Sequence, residues 1–250
     1  MRARRCAGAL TTSVLYDRAG TGWSDSVELP RTAADVIAEL RALLAVAKVP
    51  PPYLLVGHSL GGAYARHYAQ RYPGEVASLL LIDPAHEDSS AHYPKEVIEM
   101  QEQFNAQPIP DLPLEYLAFW RDVFAEKLAR WPTQVRRSLI DYHVRAWRTG
   151  MEEARGVEQG LYNELRAGGA MPDVPLIVLT AIGIDSSPTQ HMSAELQRVL
   201  NDGKRRVNRA LAASIPRGEE RALPDAVHVW ICVEQEDAVV QAIADLLAAG

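Results

Sequence analysis

Short apolar runs alternate with longer stretches of helical period along much of the chain. The runs fall at residues 13–16, 53–56, 78–82 and 176–180, with a weaker one at 221–223. Strands of that length separated by helical segments predict parallel strands joined by helical crossovers, an α/β architecture. The helix after the first run is well marked. Thr32 is placed to cap it and Asp35 to complete a capping box. Val36, Ile37, Leu40, Leu43, Leu44 and Ala47 then recur on one helical face, and Pro50-Pro51-Pro52 ends the pattern. A second helix is expected over 60–72, stopped by Pro73-Gly74. A last one is expected over 237–248, with Val239, Val240, Ile243, Leu246 and Leu247 as its buried stripe.

Residues 86–170 break this rhythm. They carry helical patterns and no convincing strand. Leu117, Trp120, Phe124 and Leu128 share one face, and Val135, Leu139, His143 and Trp147 share another. Prolines at 94, 108, 110, 113 and 132 punctuate the stretch, which holds Trp120, Trp131 and Trp147 of the chain's 5 tryptophans. The segment reads as a helical insertion between two strands. Its tryptophans are candidates for pocket lining as well as for core.

Composition narrows the function classes. The chain has 250 residues, 48% of them hydrophobic, enough for one globular core. Its 26 Lys+Arg against 32 Asp+Glu give a net charge of −6, which offers no footing for nucleic acid. Basic residues cluster at Arg2–Arg5 and Lys204–Arg206, and both clusters read as solvated faces. The two cysteines, Cys6 and Cys232, make neither a disulfide framework nor a metal-type spacing, and no apolar run is long enough to span a bilayer. Cys232 sits in an apolar run and reads as an inert core thiol. A cytoplasmic location is the expectation.

The chemistry centres on Gly57-His58-Ser59-Leu60-Gly61-Gly62, which follows an expected strand and opens an expected helix. G-x-S-x-G in that setting is a nucleophile elbow. A serine at so tight a turn is forced into a strained, exposed conformation, and glycines on either side remove side chains that would clash. The helix N-terminus aims backbone N–H groups at a developing oxyanion, with the Leu60 N–H as one donor. His58, inside the elbow, is expected to point away from Ser59.

With this motif the chain resembles the α/β-hydrolase-fold family. Tyr16-Asp17-Arg18-Ala19-Gly20-Thr21-Gly22-Trp23-Ser24-Asp25 resembles the loop after that family's fourth strand. Leu79-Leu80-Leu81-Ile82-Asp83-Pro84-Ala85 resembles its sixth strand, and the stretch from His228 to Ile243 its C-terminal end. The resemblance implies a core made of residues 1–85 and 171–250 and a lid made of 86–170. It implies a Ser, acid, His order along the chain, with the His in a loop before the final helix. Of the seven histidines only His228 fits that place. Asp185 is the only carboxylate in the loop after 176–180 and is the first candidate for the acid. Asp83 also ends a strand, where some relatives place the acid, and is the alternative. Asp17 and Arg18 are expected to be structural.

The family has three further strands at its start, the third ending in a loop, often His-Gly, that supplies a second oxyanion donor. Only 12 residues precede Ser13 and none shows that pattern. The expectation is a start that lies further upstream or a truncated gene, and low stability and activity for the 250 residues alone. The implied function is a serine hydrolase cleaving an ester or related acyl bond of a small-molecule substrate through an acyl-enzyme, with no metal or organic cofactor. The alternative is a non-catalytic relative that binds a small molecule. Lactone, amide and perhydrolase chemistry stay open.

Overall fold

The computed structural model describes residues 11–157, 160–187 and 190–250, so Cys6 and the basic cluster at its side lie outside the described residues. Four parallel strands form the sheet in the order β1 (Tyr53–His58), β2 (Val76–Ile82), β3 (Leu176–Ala181) and β4 (Gly218–Leu223). Four of the five apolar runs became strands, each a little longer than its apolar stretch. Residues 13–16, the fifth, make no ladder. A strand needs a neighbour for its N–H and C=O groups. β1 pairs with β2, and 13–16 has no strand partner among the described residues.

The two faces of the sheet are covered by different helices. Leu79 and Leu81 of β2 and Leu176 and Val178 of β3 face one side. There they meet Ile37 of α1 (Ala33–Val46), Tyr68 and Ala69 of α2 (Leu60–Arg71), and Leu211 and Ala212 of the long helix Ala194–Ala213. Leu80, Ile82, Ile177 and Leu179 face the other side and pack on Val239, Ala242, Ile243 and Leu246 of the C-terminal helix Glu236–Ala249. β2 and β3 are buried on both faces, as parallel strands under helices must be. α1 begins as its sequence predicts. The Thr32 hydroxyl accepts from the Asp35 N–H at 3.0 Å, and the Asp35 carboxylate accepts from the Thr32 N–H at 3.3 Å.

Between β2 and β3 the chain forms α3 (Lys95–Ala106), α4 (Leu114–Lys127), α5 (Thr133–Arg155) and α6 (Leu161–Ala167). The two expected apolar faces meet: Phe124 of α4 stacks on His143 of α5 with ring centroids 4.9 Å apart. The remaining helices are α7 (Ala194–Ala213), α8 (Ile231–Glu234) and α9 (Glu236–Ala249). α6 ties the insertion back to the core. Both Glu164 carboxylate oxygens accept from the exposed N-terminal amides of α1, Ala33 and Ala34, at 2.8 Å each.

Candidate active site

Ser59 is the residue between β1 and α2, and its backbone is strained, with φ 52° and ψ −120°. Neighbouring backbone holds it there. Its N–H donates to the Ile82 carbonyl and its own carbonyl accepts from Ala85 and Gly62, each at 3.0 Å. The glycines matter unequally. A Cβ on Gly57 would run into the Gly61 carbonyl, and one on Gly62 would come within 2.7 Å of Pro84, whereas Gly61 has open space. The turn thus needs Gly57 and Gly62 for room. Leu60 is the first residue of α2, so its N–H has no acceptor within the helix.

His228 comes from the loop between β4 and α8. Its Nε2 lies 3.1 Å from Ser59 Oγ, and its Nδ1 lies 2.6 Å from Asp83 Oδ2. Two of the three expected residues are therefore together, and the third is not the one placed first. Asp185 does not face the imidazole. Its Oδ1 accepts from the Ser187 N–H at 2.8 Å, while its main chain is clasped by Gln197 at 2.8 and 3.0 Å. The chain after β3 turns toward β4 instead, with Ile182 and Gly183 donating to the Leu223 and Ala226 carbonyls. Asp83 follows directly on β2, the strand hydrogen-bonded to β1, so it emerges beside Ser59 at the C-terminal edge of the sheet. The carboxylate beside His228 is that of Asp83, the alternative, and Asp185 lies away from the imidazole.

Asp83 is 3% exposed and has a positive φ of 41°. Its Oδ1 accepts from the Ala181 N–H at 3.1 Å, and its Oδ2 accepts from both His228 and the Lys204 ammonium, the latter at 3.0 Å. Burial pushes this carboxyl up. The hydrogen bond from His228 and the charge of Lys204 outweigh it and hold Asp83 below the usual carboxylate range. An ionised Asp83 accepting at Nδ1–H leaves Nε2 of His228 free to accept the Ser59 hydroxyl proton.

Two neighbours escaped sequence reasoning. Lys204, expected on a solvated face, is turned inward with its side chain 14% exposed and also donates to the Ala181 carbonyl at 2.5 Å. An amphipathic reading of α7 with Gln197, Asn201, Lys204 and Asn208 on one stripe could have found it. His58 lies beside the base: its Nε2 is 3.0 Å from the His228 carbonyl and the two rings are 4.8 Å apart. Burial and the neighbouring His228 push His58 down to about 4. It is neutral at pH 7 and donates to that carbonyl, bracing the loop. Asp17 and Arg18 stand where expected, as structural residues: Asp17 accepts from the Trp23 N–H at 3.2 Å, and Arg18 pairs with Glu153 of α5 at 2.7 Å. Cys232 is packed against the core and burial pushes its thiol up to about 11, in keeping with an inert role.

The insertion reaches the site's margin. Phe124 packs edge-on against Trp230, ring centroids 5.6 Å apart, and Lys127 pairs with Glu234 at 2.5 Å, both just beyond His228 in the chain. His228 nevertheless keeps 45% of its side chain exposed, so the site is open to solvent. A surface hollow of about 590 Å³ lies at the other end of β1, between Arg41, Pro51, Tyr53 and Glu75, away from this chemistry. Among the described residues no cluster of three or more His, Cys, Asp or Glu is placed to hold a metal, and no helix is long and apolar enough to cross a membrane.

A doubly covered parallel sheet with a strained serine at a strand-to-helix turn defines the class. The sequence profile of the alpha/beta hydrolase family matches residues 1–242, and the chain belongs to that family. Over 68 residues, 27% of this chain, it is 46% identical to the pimeloyl-(acyl-carrier protein) methyl ester esterase of Chromobacterium violaceum, and over 73 residues, 29% of this chain, it is 38% identical to an uncharacterized protein of Schizosaccharomyces pombe. Those stretches span 24% and 14% of the two relatives. The enol-lactonase of Burkholderia xenovorans LB400 superposes with a TM-score of 0.56 at 19% identity, covering 93% of this chain and 79% of that one. At that identity the likeness shows the fold alone.

Proposed function

We propose that this chain is a serine hydrolase that cleaves an ester or related acyl bond through an acyl-enzyme. The observation that carries the reading is the continuous chain Ser59 Oγ, His228 Nε2, His228 Nδ1, Asp83 Oδ2, with links of 3.1 and 2.6 Å. Serine is a poor nucleophile until a base takes its proton, and in this reading His228, protonated at Nδ1 toward Asp83, is that base. His228 accepts the Ser59 proton as Oγ bonds to the substrate carbonyl carbon. The carbonyl oxygen becomes an oxyanion and accepts from the Leu60 N–H at the positive end of α2. The carbon–oxygen bond to the leaving group then breaks, and His228 gives its proton to that oxygen. Water, deprotonated by the same imidazole, attacks the acyl-enzyme, and the carboxylic acid departs as Ser59 regains a proton. Asp83, ionised and buried, stabilises the imidazolium that forms twice in this cycle.

The 68 residues shared at 46% identity with the Chromobacterium esterase support an ester over other acyl bonds. The helical segment over 86–170, docked beside His228 through Phe124 and Lys127, fits a lid that shapes the acyl or alcohol pocket. A fluorophosphonate probe tests the reading without knowledge of the substrate. Covalent labelling that disappears in Ser59→Ala supports it, and folded protein that takes no label, alone or within a longer chain, makes it a non-catalytic binder.

A further inference from the structure

Helix α7 buries a polar stripe. Gln197, Asn201, Lys204 and Asn208 follow one another at spacings of four, three and four residues, so they share one helical face. That face is turned to the protein: Gln197 is 6% exposed, Asn201 9% and Asn208 3%. Each meets the end of β3 or the loop after it, in order. Gln197 donates to the Asp185 carbonyl at 3.0 Å, Asn201 to the Gly183 carbonyl at 3.2 Å, Lys204 to the Ala181 carbonyl, and Asn208 to the Thr180 hydroxyl at 3.1 Å. Buried polar groups are costly unless bonded, and these are bonded. Three of the four are neutral amides, which are sufficient to hold a loop. The fourth is a cation.

Lys204 differs in its second partner as well. Its ammonium donates to Asp83 Oδ2, the oxygen that also accepts from His228 Nδ1. With the Ala181 N–H on Oδ1, the carboxylate is held on both sides. We propose that Lys204 is a positioning residue of the hydrolytic site: its ammonium fixes the Asp83 carboxylate and, by sharing Oδ2, limits how far that carboxylate strengthens His228 as a base. This rests on the reading of Ser59, His228 and Asp83 as the catalytic groups. The titratable groups facing the shared oxygen or the imidazole are few. The turn directly after β2 supplies Asp83 and the segment beyond it Tyr93, β1 supplies His58 and α7 supplies Lys204. His58 and Tyr93 are neutral at pH 7, so Lys204 is the cation that balances Asp83 when the imidazole is neutral.

The consequence is a direction. A fixed positive charge on the far side of the carboxylate offsets part of the Asp83 charge that the imidazole meets. Removing that charge leaves Asp83 acting on His228 alone, and the imidazole becomes easier to protonate. The rate of fluorophosphonate labelling at Ser59, followed from about pH 4 to about pH 9, reads the imidazole directly because only the unprotonated form assists attack. In Lys204→Met the acidic limb of that profile should move up by about one pH unit. Lys204→Arg keeps the charge and should hold the limb within about 0.3 unit of the parent. If the methionine variant does not fold, Lys204→Gln keeps a donor for the Ala181 carbonyl and must move the limb the same way. A limb that stays in place in the uncharged variants, or moves down, overturns the role of Lys204 while leaving the serine reading intact. An unmodified parent protein, or equal labelling of Ser59→Ala, removes the serine reading and this role with it.

Discussion

The sheet core and the helical insertion are built to different standards of packing. In β2 and β3 all but one residue is buried, and the helices on both faces contribute complete apolar stripes to them. In the insertion, α3 and α4 bury no residue fully and α5 buries Ile140 alone. Those three helices are held by aromatic contacts among Trp120, Phe124 and His143 and by ion pairs such as Arg18–Glu153 and Lys127–Glu234, whereas α6 sinks apolar residues, Leu161 and Leu165, into a cluster with Ala33 and Ala63. Parallel strands need burial on both faces to exist at all, whereas helices satisfy their own backbone and can rest on a surface. The candidate chemistry follows the same division. Ser59, Asp83 and His228 leave the sheet or the loop after β4, and the insertion borders them, with Phe124 and Lys127 against the stretch after His228 and Tyr93 near Asp83.

The sharpest way to break this division is to test where activity lives. Ser59→Ala should lower hydrolysis of an activated aryl ester by about 10⁴- to 10⁶-fold, and Asp83→Asn by about 10⁴-fold. Asp185→Asn should cost less than about tenfold, because its carboxylate serves only its own turn. A larger loss for Asp185 than for Asp83 would reverse the assignment of the acid. Packing comes next. Leu179→Ala, in a strand residue that is 1% exposed, should lower the unfolding free energy by about 2–5 kcal/mol. Leu117→Ala, half-buried in α4, should cost about 1 kcal/mol. Equal losses in urea titrations would mean that the insertion is as tightly packed as the core.

Acid should strain both regions at their junction. His58 at the core's edge and His86 at the root of the insertion are both pushed down to about 4, chiefly by burial, with His228 acting on the first and Arg66 on the second. The unfolded chain binds protons at an ordinary imidazole value of about 6.5, so between there and about pH 4 it holds more protons than the folded one. Stability is then retained above about pH 6.5 and lost as pH falls through that window, by an amount on the order of a few kcal/mol. His58→Gln and His86→Gln should each flatten the dependence of the melting temperature on pH, and an unchanged slope in both would show that neither ring is held neutral. The smallest effect belongs to the margin. Lys127→Ala breaks the pair with Glu234, both side chains about one-third exposed, and should cost no more than about 1 kcal/mol while Ser59 labelling persists.

Much of this organisation is legible in the chain. The capping box at Thr32 and Asp35, the four strands that formed and the helices α1, α2 and α9 come from local patterns of period and punctuation. Residues 13–16 had the composition of a strand and did not form one, because a strand is a property of a pair. Lys204 looked like a surface lysine because a charged residue in a basic run carries no mark of which helical face is buried.

What the linear order of residues settled was the position of the strained turn: a strand, Gly57, Ser59, Gly62 and a helix are all local, and backbone sterics alone demand small residues there. His228 was singled out by the resemblance to the family's chain order, with a histidine before the last helix. The partner of that histidine was decided only by the sheet. Asp83 and Asp185 both follow strands, and both are carboxylates near a C-terminal edge. Which of them meets an imidazole depends on which strand lies beside β1 and which way the chain turns afterwards, and those are facts of neighbours in space, fixed by long-range hydrogen bonds such as Ser59 to Ile82 and Gly183 to Ala226.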